Sequence, residues 1–188
     1  MNSTLRETAA LIGEADGRDE DYVDYIHNQL KNMYAKGIIK SCGKASHGRT
    51  SSVLFDEVEI YRARVLSVLV EVGLNSQMLR DVRLGLDAES RKSSNGPNAV
   101  FGDHITYSFV EAVNGIKNGV DWNLEIAFFS VQETGTKEAW AFCAPTSQRL
   151  AGTLHHHHYV PPGAVPQVVT QVPLNGLLSG LIQRLAGN

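Results

Sequence analysis

Start and stop signals for helices punctuate the first 86 residues so closely that only a fold of short helices fits them. Thr4 followed three residues later by Glu7 is a capping box, which satisfies two orphan N–H groups and opens a helix running to about Ile12. Residues 13–17, with glycine at both ends, read as a turn. A second helix is expected from about Asp19 to Lys36, its acidic first turn favoured by the helix dipole. Its Val23, Ile26, Leu30 and Met33 recur at the spacing that keeps one face on a core, and Gly37 ends it. Asp56 with Glu59 repeats the capping box, and Val58, Tyr61, Val65, Leu69 and Val72 follow at helical spacing as far as Gly73. Asn75 or Ser76 then caps a fourth helix holding Met78, Leu79, Val82 and Leu86.

Between the second and third helices, Ile38-Ile39-Lys40 and Ser52-Val53-Leu54-Phe55 read as two short strands. The polar, basic loop joining them, residues 41–51, holds Gly43 and Gly48 for tight turning. The order is helix, turn, helix, two-stranded wing, helix, helix. That predicts an α+β chain with an N-terminal winged helix-turn-helix, whose second helix enters the major groove while the wing lies along the backbone.

Net charge is −3, yet the distribution matters more than the sum. From Tyr25 to Phe55 there is no acidic residue, while Lys31, Lys36, Lys40, Lys44 and Arg49 fall there, with His27 and His47. A phosphate-facing surface needs only such local positive potential. Asn28, Lys31 and Asn32, opposite the apolar stripe of the second helix, are the expected base-facing residues. Lys36 extends that face, and Lys40, Lys44, His47, Arg49 and Thr50 are expected to meet the DNA backbone.

At this point the sequence resembles the MerR-type winged-helix family over roughly residues 4 to 86. The resemblance rests on Leu30-Lys31 ahead of Gly37-Ile38-Ile39, on the wing, and on Leu54-Phe55-Asp56-Glu57-Val58. Leu69-Val70-Glu71-Val72-Gly73-Leu74-Asn75-Ser76, leading into Leu79-Arg80-Asp81-Val82, carries most of it. The resemblance implies sequence-specific binding of double-stranded DNA, in transcriptional control of prokaryotic or phage type or in excisionase-like bending. A small terminase-like assembly role in a mobile element stays open. So does a winged helix that binds protein, which the acidic stretch from Asp16 to Asp24 favours.

Residues 87–98, polar with Gly96 and Pro97, read as a linker, and residues 99–160 as a β-rich sensing or assembly domain. Ile105, Tyr107 and Phe109 alternate with polar residues, a half-buried strand pattern. A strand over residues 122–132, a turn at Glu133-Thr134-Gly135-Thr136 and a strand over residues 137–144 form a hairpin. A helical turn is expected within residues 111–118, and a further strand near residues 154–160. Residues 161–188 make a Pro-rich segment, extended around Val160 to Pro166, and an amphipathic helix. That helix, of about twelve residues, carries Leu174, Leu177, Leu178, Leu181, Ile182 and Leu185 as one stripe. It is marginal alone and is expected either to cover its own sheet or to join protomers in a homodimer or higher oligomer.

His155 to His158 would bring two imidazoles to one strand face, but without neighbouring carboxylates or thiols no metal or other cofactor is expected. Cys42 and Cys143 fit free, buried small residues in a reducing compartment. No catalytic motif appears, and an enzyme is not expected. The first residues lack the pattern of a secretory signal, and no apolar run approaches the roughly eighteen residues of a membrane helix, so the expected setting is cytoplasmic and nucleoid-associated.

Overall fold

Capping decides where the helices begin. In the computed structural model, which describes residues 2–45, 52–89, 91–92, 105–131, 134–148 and 164–187, the chain is a mixture of helices and small antiparallel sheets, an α+β structure. The Thr4 hydroxyl accepts the Glu7 N–H at 3.3 Å and the Glu7 carboxylate accepts the Thr4 N–H at 2.7 Å, opening α1 (Leu5–Ala15). The helix continues past Ile12 because Gly13, expected in the turn, stays helical and buried against Val23. Asp19 accepts the Tyr22 N–H at 3.1 Å and opens α2 (Glu20–Ala35), with Lys36 as its C-cap. Asp56 caps α3 (Glu57–Glu71), and Asn75, accepting from Gln77 and Met78 at 3.0 Å each, caps α4 (Ser76–Asp87).

The chain divides into two compact units: Met1–Leu79 with Gly176–Asn188, and Arg80–Asn175. In the first, β1 (Asn2–Ser3), β2 (Gly43–Ala45) and β3 (Ser52–Asp56) form an antiparallel sheet in the order β1–β3–β2, with Ser3 opposite Phe55 and Lys44 opposite Val53. Strand β1 has no sequence signal, since two residues are too few to show an alternating pattern. Ile12, Ile26, Leu30, Ile38, Ile39, Phe55, Ile60, Tyr61, Leu66 and Leu69 are fully buried and form the core. Each such side chain is worth about 1.5–3 kcal/mol of burial. Val72, expected on the buried stripe of α3, is 67% exposed because it is the C-cap, beyond the last packed turn.

Ile38-Ile39-Lys40 is not a strand. Gly37 adopts a left-handed backbone (φ 67°), and the Ile38 N–H reaches back to the Met33 carbonyl at 2.9 Å, the closing bond of a Schellman cap. The two isoleucines drop into the core, 1% exposed each, and the Glu59 carboxylate accepts the Lys40 N–H at 2.7 Å. That bond turns the chain into β2, so the hairpin is β2–β3. Asp56 accepts the Glu59 N–H as the capping pattern requires, while the Glu59 side chain reaches to Lys40.

In the second unit β4 (Arg91–Lys92) pairs with β5 (Ile105–Thr106), which places a strand inside the expected linker. The strand expected through Phe109 stops at Thr106, with Tyr107 in a lone bridge to Cys143. Ser108 and Glu111 form a capping box that starts α5 (Phe109–Lys117) and overrides the alternation. The hairpin β6 (Trp122–Val131) and β7 (Lys137–Pro145) is as expected, with Leu124 opposite Cys143, and a short 3-10 turn follows at Thr146–Gln148. The third strand is β8 (Ala164–Pro173), which pairs with β6 where extended Pro-rich chain was expected. The strand expected near residues 154–160 lies outside the described residues.

The boundary between the two units falls within α4 and not at residues 87–98. The Asp81 carboxylate accepts the Ala139 N–H at 3.3 Å, and Gly85 lies so close to β7 that a Cβ there would stand 2.1 Å from the Ala141 carbonyl oxygen. The last turns of α4 therefore belong with the sheet. The C-terminal helix α6 (Leu174–Ala186) has most of its length in the first unit, where Arg184 pairs with Glu14 at 3.1 Å and Gly180 abuts the end of α1. Leu174, Leu178 and Leu181 are fully buried within the one chain, and Leu177, Ile182 and Leu185 are half-buried. Half of the stripe expected to join protomers, Leu174, Leu178 and Leu181, is thus buried by the chain's own packing.

Candidate nucleic-acid interface

Helix α2 presents two chemically different halves. Its buried side, Val23, Ile26, Leu30 and Met33, fixes the rotation of the helix, so Asn28, Lys31 and Asn32 emerge together on the exposed side. Tyr25, 47% exposed, lies on the same side one turn earlier and is not among the residues expected to meet DNA. The N-terminal half instead carries Asp19, Glu20, Asp21 and Asp24.

Much of that acidity is engaged inside the chain. Arg6 of α1 pairs with Asp24 and lies 3.6 Å from Glu20, and its pKa is raised above the ordinary arginine value mainly by the hydrogen bond to Asp24. Asp19 is occupied by the cap, and Asp16 pairs with the buried Arg64 at 2.9 Å. The Tyr22 hydroxyl bonds Glu71 at 3.1 Å and approaches Asp16 at 3.4 Å. Its pKa is pushed up to about 12, chiefly by burial, so it remains a donor at physiological pH. Asp16, Arg64, Tyr22 and Glu71, with Arg18, Tyr25, Ala15 and Gly176, line an open cleft of about 580 Å³ in which Asp16 and Arg64 form an ion pair.

The basic half lies close to the hairpin. Tyr34, near the end of α2, meets Phe55 of β3 edge-on at 5.9 Å, and this packing ties the helix to the strand pair. Lys31 and Lys44 are exposed, Lys44 standing on β2 opposite Val53. Lys40 is also exposed, its main chain fixed by Glu59. Lys36 is exposed but donates to the Ser76 hydroxyl at 2.8 Å, a link to the start of α4 that spans 40 residues and has no sequence signal. His47, Arg49 and Thr50 lie outside the described residues. The other six expected DNA-facing residues, Asn28, Lys31, Asn32, Lys36, Lys40 and Lys44, are all exposed within the first unit.

Among the described residues no group of three or more His, Cys, Asp or Glu side chains could hold a metal ion, and His155 to His158 lie outside them. Cys143 is buried as expected, whereas Cys42 is exposed at the foot of the hairpin with its thiol toward the Leu54 carbonyl. No helix among the described residues is long and apolar enough to cross a membrane. No protein-family model matches the chain, and no curated protein matches it.

Proposed function

We propose that the first unit binds double-stranded DNA in the manner of a winged helix-turn-helix, as a MerR-like regulator of prokaryotic or phage type working as a homodimer on paired half-sites. The observation carrying this reading is the exposed Asn28–Lys31–Asn32 face of α2 packed beside a lysine-bearing hairpin, in a stretch with no acidic residue. Amides can bond base edges in pairs, and lysines neutralise phosphate. The acidic start of α2 keeps that end off the phosphates, so the middle and last turns enter the groove.

A second reading, an excisionase-like architectural factor, is favoured by the end of α4 at Asp87, since the helix does not continue into the long pairing helix of MerR-type regulators. Footprint length separates the two, because an architectural factor covers arrays of sites and a regulator one paired site.

Fluorescence anisotropy with duplexes from flanking genomic DNA and with random duplexes tests the proposal. Asn28→Ala/Asn32→Ala should narrow the gap between the preferred and random duplexes by about tenfold or more while leaving random binding unchanged. Absence of duplex binding by the wild-type chain overturns the reading.

A further inference from the structure

The sheet of the second unit has two very different edges. The outer edge of β7 is covered: Asp81 accepts the Ala139 N–H at 3.3 Å, and Tyr107 donates its N–H to the Cys143 carbonyl at 3.3 Å. The outer edge of β8 bonds to nothing among the described residues. Exposed edge strands in natural proteins are usually guarded by charges, because unpaired N–H and C=O groups are a template for another strand. β8 reads Ala-Val-Pro-Gln-Val-Val-Thr-Gln-Val-Pro, with no charge in ten residues. Pro166 and Pro173 bound a window of six residues, 167–172, in which every N–H is present. One irregularity of register, where Phe128 pairs with Val168 and Phe129 with Pro166, lies at one end of that window.

We propose that β8 is a β-augmentation surface whose occupant is the β8 of a second copy of this chain, the two running antiparallel and joining two three-stranded sheets into one of six strands. The sequence itself selects that occupant. Antiparallel pairing centred on Val169 sets Val169 against its own equivalent, Val168 against Thr170 and Gln167 against Gln171. These central pairs are alike or nearly isosteric, as suits a two-fold interface. Val168 is 57% exposed, and β-branched residues facing one another across strands are stabilising. A partner of different sequence would have no charge on β8 by which to be recognised. This inference does not depend on DNA binding.

Sedimentation of the full chain at micromolar concentrations should show a dimer. Val168→Lys/Thr170→Lys sets lysine opposite lysine at both symmetry-related pairs and should weaken that dimer about tenfold. Val168→Glu/Thr170→Glu should do the same, and mixing the two variants should restore dimer as a heterodimer. Circular dichroism checks that each variant is folded, and restoration itself requires folded partners. A monomeric wild type, a dimer unmoved by either variant, or a mixture that stays dissociated overturns the proposal.

Discussion

Asp16→Ala should lower the stability of the chain by about 3 kcal/mol, the low end of what removing one partner from a buried ion pair costs. Arg64 is only 8% exposed, and its Nη2 lies 2.9 Å from Asp16 Oδ2. Its Nε and Nη1 are buried with no hydrogen-bond partner among the described residues, so Asp16 is the group that offsets the charge. Losing it leaves a guanidinium desolvated and uncompensated between the end of α1 and α3. The Tyr22 hydroxyl keeps Glu71 as an acceptor, so the loss is concentrated on Arg64. Asp16→Ala/Arg64→Met, which removes both charges and keeps an apolar stem, should regain most of the lost stability. Urea unfolding at neutral pH reads both. A single variant within 1 kcal/mol of wild type, on the order of a surface substitution, would show that this pair does not hold the unit together.

Gly85→Val should be nearly as damaging, at about 3 kcal/mol, for a steric reason. The first side-chain atom would stand 2.1 Å from the Ala141 carbonyl oxygen and 2.8 Å from its carbon, both main chain of β7. Nothing at the end of a flexible side chain can move aside, so the helix end must lift and expose Val82 and Leu86, which are now buried. Gly176→Ala, where no atom lies within 4 Å of the added carbon, is the control and should be neutral or slightly stabilising. Equal thermal midpoints for the two variants would contradict the close approach.

The parts of the fold legible in the sequence are those fixed by chemistry within three or four residues. Thr4 with Glu7, Asp19 and Asn75 each mark a helix start because the bonds they make are local. The β6–β7 hairpin is legible for a similar reason, with Gly135 at the turn (φ 65°) between two runs of aromatic and β-branched residues. Misreadings arise where local preference meets a competing constraint. Ile38 and Ile39 have strand-forming side chains, but the left-handed cap at Gly37 and the distant Glu59 remove them from any ladder. Tyr107 and Phe109 alternate as a strand would, yet the Ser108 capping box starts a helix between them. Pro166 argues against a strand at β8, although proline is tolerated on an edge strand where its missing N–H breaks no ladder bond. The leucine stripe of α6 indicates that one face is buried, and periodicity cannot say against what.

The candidate interface is partly legible for the same reasons. Helical phase alone places Asn28, Lys31 and Asn32 outward once Val23, Ile26, Leu30 and Met33 face inward. The tether from Lys36 to Ser76 and the neutralising of Asp24 by Arg6 join residues 40 and 18 positions apart, which no local pattern records.

The salt dependence of duplex binding addresses the central claim most directly. Wild-type affinity should fall linearly with salt on logarithmic axes. Lys31→Ala/Lys44→Ala, which removes two exposed amines, should make that slope shallower by about 1.8, since each neutralised phosphate adds about 0.9 to it. A double variant with the wild-type slope, or a wild-type slope of zero, would contradict the claim that residues 25–55 fold into a phosphate-facing unit.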